Sequence, residues 1–197
     1  MTAAPLLVII TGPSGAGKDT LAARLAARPG SHIGFAVTAT TRPQREGEVD
    51  GRDYHFVSAE EFARMVREGE LLEQAIVYGQ HKGVPRSSVQ RVLDAGKDVL
   101  LRTDIQGARY IKSRVPDALT VFVMPPSREE MERRLRDRGS DTAEQIAVRI
   151  QTAGEEMDAA AEFDHTIVND DVERAAAEIE RIIAAERERP DRAPLSL

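Results

Sequence analysis

The chain has 197 residues, no cysteine and a formal net charge of −6. That length suits one well-cored domain. The missing thiols exclude disulfides, thiolate metal sites and a cysteine nucleophile, and the acidic balance speaks against a general nucleic-acid binder.

No stretch approaches the roughly 20 apolar residues of a membrane span, and MTAAPLLVIITG has no basic segment ahead of its apolar one. The expectation is a cytoplasmic protein with neither nucleic acid nor membrane as partner. In chain order, Leu6–Ile10 (LLVII) is a short apolar run, as a parallel strand buried on both faces shows. Gly12, four residues, Gly17 and Lys18 follow in TGPSGAGKDT, and TLAARLAAR then offers good helix formers with Leu21 and Leu25 apolar. Given 14 glycines and 4 lysines, composition produces only about 0.02 accidental matches to this spacing. Strand, glycine loop and helix is the arrangement a phosphate site needs. Loop N–H groups wrap the phosphates, the helix N-terminus adds partial positive charge, and Lys18 reaches the β- and γ-phosphates.

Further along, Ser58-x-x-Glu61 is a capping box before Phe62, Met65 and Val66, with Gly69 as a stop. KDVLLRTD (97–104) and LTVFVMPP (119–126) read as buried strands. Ser127-x-x-Glu130 caps a helix carrying Met131 and Leu135, and Thr142 to Phe163 reads as a helical stripe of Ile146, Ile150, Ala153 and Met157. HTIVND (165–170) is a short strand, and Asp171–Arg187 is an amphipathic helix with Val172, Ile179, Ile182 and Ile183 apolar. The tail from Pro190 is expected to fray. Alternating strands and helices predict an α/β fold, a parallel sheet flanked by helices. Ligands in such sheets sit beyond the strands' carboxyl ends, where the glycine loop falls.

VTATTRPQREGEVDGRDYHFV (37–57) does not read as core. Arg42 and Arg45, three apart with Tyr54 nearby, suit a second anionic group, because guanidinium forks bind phosphate bidentately. GPSGAGK, TTRPQREGEVDGRDYHFV, GELLEQAIVYG, TDIQGA, PPSREEMERRLRDRG and VND occur in this order from about Pro5 to Arg189. In these segments the sequence resembles the guanylate kinase family of P-loop nucleoside monophosphate kinases.

The resemblance implies a P-loop kinase fold in one domain over 1–197. Its core would span about 5–36, 89–126 and 164–189, its GMP-binding arm about 37–88 and its lid about 127–160, with 190–197 a frayed tail. It implies transfer of the γ-phosphoryl of ATP to GMP or dGMP, with Mg²⁺ accompanying ATP. Gly12, Pro13, Ser14, Gly15, Ala16, Gly17, Lys18, Asp19 and Thr20 would form the ATP site, with Asp19 a candidate Mg²⁺ ligand. Arg42, Arg45 and Tyr54 would grip the acceptor phosphate, Thr38 and Glu73 would read guanine, and Lys82 and Asp104 would complete the acceptor site. Lys18, Arg42 and the lid's Arg134, Arg138 and Arg149 would neutralise charge during transfer. Arg133 and Arg136 match no family arginine and read as solvated face. A carboxylate at 73 suits guanine, which presents N1–H and an exocyclic amine side by side. Adenine lacks that pair and would leave the acid unpaired. No general base is required, because an acceptor phosphate is already anionic. His32, His55, His81 and His165 read as structural or exposed.

Four positions depart from the family pattern. Asp19 stands where the family has Ser or Thr, and its carboxylate can still meet Mg²⁺. Lys82 replaces a tyrosine at the acceptor phosphate, and Val84 replaces a hydroxyl residue that touches guanine. Arg102 stands where the family shows an acidic residue, and charge alone suggests that it pairs with Asp19. A GKD loop also resembles the ribose bisphosphate phosphokinases, which keeps a sugar-phosphate acceptor as an alternative. A third reading is a non-catalytic, phosphopeptide-holding module of the guanylate-kinase-like type, although such modules typically lack a working P-loop.

Overall fold

The computed structural model describes residues 4–28, 30–77, 79–137, 142–190 and 195. A five-stranded sheet forms its centre, built from β1 (Leu7–Thr11), β2 (Ile33–Phe35), β7 (Asp98–Arg102), β8 (Leu119–Met124) and β9 (His165–Val168). The order is β2-β7-β1-β8-β9, with every pairing parallel. All five residues of β1 are buried, because helices cover both faces of the sheet. Val8 and Ile10 pack against α1 (Lys18–Ala26) and α7 (Val172–Arg187). Leu7 and Ile9 point the other way, into a cluster shared with α3 (Arg86–Asp94) and α4 (Ile105–Arg114). The alternation of side chains along a strand thus divides one apolar run between two cores.

A second sheet carries β3 (Ala39–Thr40), β4 (His55–Phe56), β5 (Leu71–Val77) and β6 (Gln80–Pro85) in the order β4-β3-β6-β5. Helix α2 (Ala59–Arg67) sets Phe62 and Met65 into a small core with Ala39. Half of the expected capping box forms: the Ser58 side chain accepts from the Glu61 N–H at 3.1 Å, while the Glu61 carboxylate pairs with Arg64 instead. The polar stretch 37–57 therefore supplies two short strands to this second sheet, beside β5 and β6. Helices α3 and α4 fall in stretches to which the sequence reading assigns no element.

Helices α5 (Arg128–Asp137) and α6 (Ala143–Met157) pack through Met131, Leu135 and Ala153. The stripe from Thr142 to Phe163 is not one uniform helix. After Met157 it tightens into a 3-10 turn, Asp158–Glu162, and Phe163 then adopts extended backbone. This places the Phe163 ring 5.3 Å from that of Phe122, and burying that aromatic pair favours leaving the α-helical path. Of the expected frayed tail, only Pro190 and Leu195 are among the described residues. Among the described residues, no helix is long and apolar enough to cross a membrane.

Candidate functional site

The glycine loop leaves the carboxyl end of β1, the sheet's middle strand, and opens into α1. Two of its glycines have no substitute. Gly12 has φ +137, and a Cβ there would lie 2.3 Å from the Val123 carbonyl oxygen. Gly17 has φ +86, and its Cβ would lie 2.3 Å from the Asn169 amide nitrogen. Positive φ at both, with backbone in the way at 12 and the Asn169 side-chain amide in the way at 17, favours glycine.

A cleft of about 570 Å³ opens beside this loop. Gly12, Ser14, Gly15, Gly17, Lys18 and Asp19 line one end. Thr38, Arg42, Arg45, Tyr54, Glu73, Lys82 and Asp104 line the other, and Arg149 and Glu156 approach from α6. The remaining loop residues sit behind this surface: Ala16 is buried in the core, Pro13 is buried in the loop, and Thr20 is exposed. Arg134 does not line the cleft either. Its guanidinium donates to the Asn169 carbonyl at 3.1 Å and to Glu130 at 2.8 Å, while the Asn169 amide donates to the Ala16 carbonyl at 2.8 Å. Arg134 thus braces the loop from outside. Arg138 lies outside the described residues. Arg133 and Arg136 are exposed and paired along α5.

At the donor end, the Lys18 ammonium donates to the carbonyls of Gly12 at 2.6 Å and Pro13 at 2.8 Å. It therefore lies inside the curl that a phosphate would enter. At the acceptor end, Arg42 forks onto Glu48 at 2.7 and 2.9 Å and stacks 5.1 Å from the Tyr54 ring. Glu48 also accepts from the Arg45 backbone N–H at 2.8 Å. Burial and the hydrogen bond to Arg42 pull on Glu48 in opposite directions; the pairing wins and holds its pKa below the usual range. Lys82 is half-buried, with its ammonium 5.9 Å from the Tyr54 ring. Burial pushes its pKa down, opposed by Asp19 and Asp104.

Glu73 is 4% exposed, and one of its carboxylate oxygens has no hydrogen-bond partner. A bulge between Leu71 and Glu73 makes this possible. The extra residue lets Leu72 enter the core while its neighbour Glu73 is also buried, at the cleft. Burial and the nearby Asp104 push the Glu73 carboxyl up to about 8, against the pull of Lys82. Thr38 and Thr103 line the same cleft, and their hydroxyls are likewise buried without partners. Buried polar atoms normally find partners, so three orphans on residues lining one cavity point to a polar-edged ligand there. Asp104 caps α4, accepting from the Gly107 N–H at 2.9 Å. Val84 lies in the apolar core, opposite Glu73 in the strand pair.

The Guanylate kinase family model matches residues 5–186. The chain belongs to the guanylate kinase family. A guanylate kinase of Streptococcus agalactiae serotype III is 46% identical over 187 residues, covering 95% of this chain and 90% of the relative. One of Alkalilimnicola ehrlichii is 46% identical over 186 residues, covering 94% of this chain and 91% of the relative. The crystal structure of guanylate kinase from Anaplasma phagocytophilum superposes with a TM-score of 0.80 at 33% identity, covering 98% of this chain and 91% of that one. The guanylate kinase resemblance and the P-loop kinase fold expected from the sequence are both borne out.

Two participants escaped the sequence. Glu156 reaches the loop from α6, accepting from the Ser14 N–H at 3.4 Å. Thr103, at the end of β7, adds an orphan hydroxyl to the cleft. Glu156 sits in no motif with chemistry of its own, so no local signal marked it, whereas Thr103 opens the TDIQGA segment beside Asp104, and that adjacency is the signal that could have found it.

Proposed function

We infer that this protein is an ATP-dependent nucleoside monophosphate kinase that moves the γ-phosphoryl of ATP onto GMP or dGMP. The observation that carries the acceptor is Glu73, a buried carboxylate with one partnerless oxygen on a residue that lines the same cleft as the glycine loop. An ionised carboxylate accepts from guanine N1–H and the exocyclic amine, and Thr38 stands beside it with its own unused hydroxyl.

In this reading residues 37–88 form the acceptor arm and 127–160 the lid, on a core of 5–36, 89–126 and 164–189. ATP enters over the loop, and Lys18 leaves the Gly12 and Pro13 carbonyls for the β- and γ-phosphates. Arg42, Arg45, Tyr54 and Lys82 take the acceptor phosphate, and Arg149 closes from the lid. Arg42 must exchange Glu48 for phosphate, an exchange of one charge-assisted fork for another. Bringing two anions together calls for positioning and charge neutralisation rather than covalent help.

Mg²⁺ fits this site as a companion of the nucleotide. Asp19 offers a hard oxygen on a side chain 56% exposed, in the first turn of α1. Among the described residues, no three acidic, histidine or cysteine groups converge into a metal cage. The ion would therefore be held chiefly by phosphate and water, with Asp19 contributing directly or through water. It supplies charge neutralisation of the triphosphate.

A coupled assay with Mg-ATP against GMP, dGMP, AMP, UMP and ribose bisphosphate tests the reading. Turnover is expected with GMP and dGMP. Turnover with the sugar phosphate alone moves the acceptor assignment, and no turnover with any acceptor favours a binding module.

A further inference from the structure

Arg102 ends β7 on the floor of the cleft, and its side chain is only 8% exposed. One guanidinium nitrogen lies 3.3 Å from the Asp19 carboxylate, on the donor loop's helix. Another donates to the Asp53 backbone carbonyl at 3.1 Å, in the acceptor arm. The flat of the group stacks 4.5 Å from the centre of the Tyr54 ring and 5.2 Å from that of Phe35. A single planar cation thus touches the donor loop, the central sheet and the arm. The two positions at which the chain changes the family's charge pattern, an acid in place of a neutral residue at 19 and a base in place of an acid at 102, are the two that meet.

We propose that Arg102, held by Asp19, is a positioning residue for phosphoryl transfer, a strut that fixes the spacing between the donor loop and the acceptor arm. The argument is geometric. Tyr54 lies at the acceptor-phosphate end of the cleft, and its ring rests on the guanidinium. The Asp53 carbonyl fixes the same stretch of backbone. Arginine suits this post because its fork is rigid and both edges and faces are usable. Lysine offers a point charge with neither a second edge nor a face. Asp19 supplies the donor-side anchor. Reactivity between bound groups depends steeply on their separation, so displacement of the arm by about 1 Å lowers turnover as well as affinity.

The proposal rests on the acceptor reading above. Three variants separate the two: Arg102→Met keeps the bulk of the stem and removes every donor, Arg102→Lys keeps the charge, and Asp19→Asn removes the anchor's charge at an exposed position. The KM for GMP of Arg102→Met is expected to rise about tenfold and its kcat to fall about tenfold, with the KM for ATP within about twofold. Calorimetric titration of GMP alone, without ATP or metal, should show the same tenfold weakening. Arg102→Lys should recover less than half of the loss. Asp19→Asn should weaken GMP binding about threefold, and the double variant Asp19→Asn, Arg102→Met should bind GMP no worse than Arg102→Met, because one strut has been removed once.

If Arg102→Met does not fold by circular dichroism, Arg102→Lys and Asp19→Asn carry the test in the same titration. GMP binding unchanged within about twofold in the folded position-102 variants overturns the strut, and so do losses at 19 and 102 that simply add. A wild-type protein that neither binds nor phosphorylates GMP overturns the acceptor reading and the strut with it. A wild-type protein that turns GMP over while Arg102→Met matches it overturns the strut alone.

Discussion

Glu156 of α6 accepts a hydrogen bond from the Ser14 N–H of the glycine loop at 3.4 Å. The carboxylate sits on a donor that a triphosphate would use, and it faces Lys18 across the cleft. Burial raises its pKa, with Lys18 pulling it back. An anion at this place competes with incoming phosphate. Glu156→Gln keeps the shape and removes the charge, so the KM for ATP should fall about threefold with GMP kinetics little changed. Initial-rate kinetics over ATP concentration check this, and a higher KM for ATP in the variant would show that Glu156 assists binding instead.

Lys18 carries the heaviest single expectation. Its ammonium already lies within the loop's curl, 2.6 and 2.8 Å from two carbonyls. Among the described residues, Arg134 stands behind the loop and does not replace it when phosphates arrive. Lys18→Ala should lower kcat with GMP by at least about 10²–10³, the scale of losing a charge-stabilising donor in a dry site. Full activity in this variant, measured in the coupled assay, would remove the loop from the mechanism.

Of the lid arginines implied for catalysis, the two among the described residues, Arg134 and Arg149, should separate by phenotype. Arg149 lines the cleft, so Arg149→Ala should act mainly on kcat, lowering it about 10²-fold. Arg134 acts on the loop through the Asn169 carbonyl, and a Cβ on Gly17 would lie 3.8 Å from its guanidinium. Arg134→Ala should therefore also loosen the loop, raising the KM for ATP and lowering the melting temperature by about 2–4 °C for each kcal/mol lost. Equal thermal stability of the two variants would contradict this division.

What the sequence made legible was whatever is local. The glycine–lysine loop depends on a few consecutive residues, so its spacing alone placed it between strand and helix. The Arg102–Asp19 pair was readable from charge, because an acid and a base had replaced a neutral and an acidic residue in two motifs already assigned to one site. Glu73 was readable as a residue and not as a geometry. Its burial comes from a bulge in β5, and nothing in GELLEQ marks a bulge. Asp104 was read as a site residue from its motif, whereas its helix-capping role needed α4, which had not been recognised. Glu156 depended on the packing of α6 over the loop, a contact between residues 142 positions apart. Long-range placement of a polar group on an amphipathic helix leaves no periodic trace, since any exposed position on that face would look the same.

Glu73 yields a prediction whose sign can be worked through. Burial and Asp104 hold its carboxyl near 8 in the ligand-free fold, far above the ordinary carboxylate value. The folded state therefore keeps a proton that the unfolded chain releases near pH 4.5. Across the window from 4.5 to about 8 the native state binds more protons, so stability falls as pH rises. Glu73→Gln removes that slope. It also spares the fold a buried, unsatisfied carboxylate, worth about 1–3 kcal/mol, or some 2–4 °C of melting temperature for each kcal/mol, at the alkaline end. Function moves the other way. Guanine's paired donors need the ionised acid, so the KM for GMP should drop as pH rises from about 6.5 to 8.5 in the wild type and stay flat in the variant. The variant's kcat/KM for GMP should be lower by about 10–10²-fold, while that for AMP changes little. Melting curves and GMP kinetics across this range test both halves together. A wild-type KM for GMP that does not respond to pH, in a protein whose stability shows the predicted slope, would mean that the raised carboxyl is not the group that meets the base.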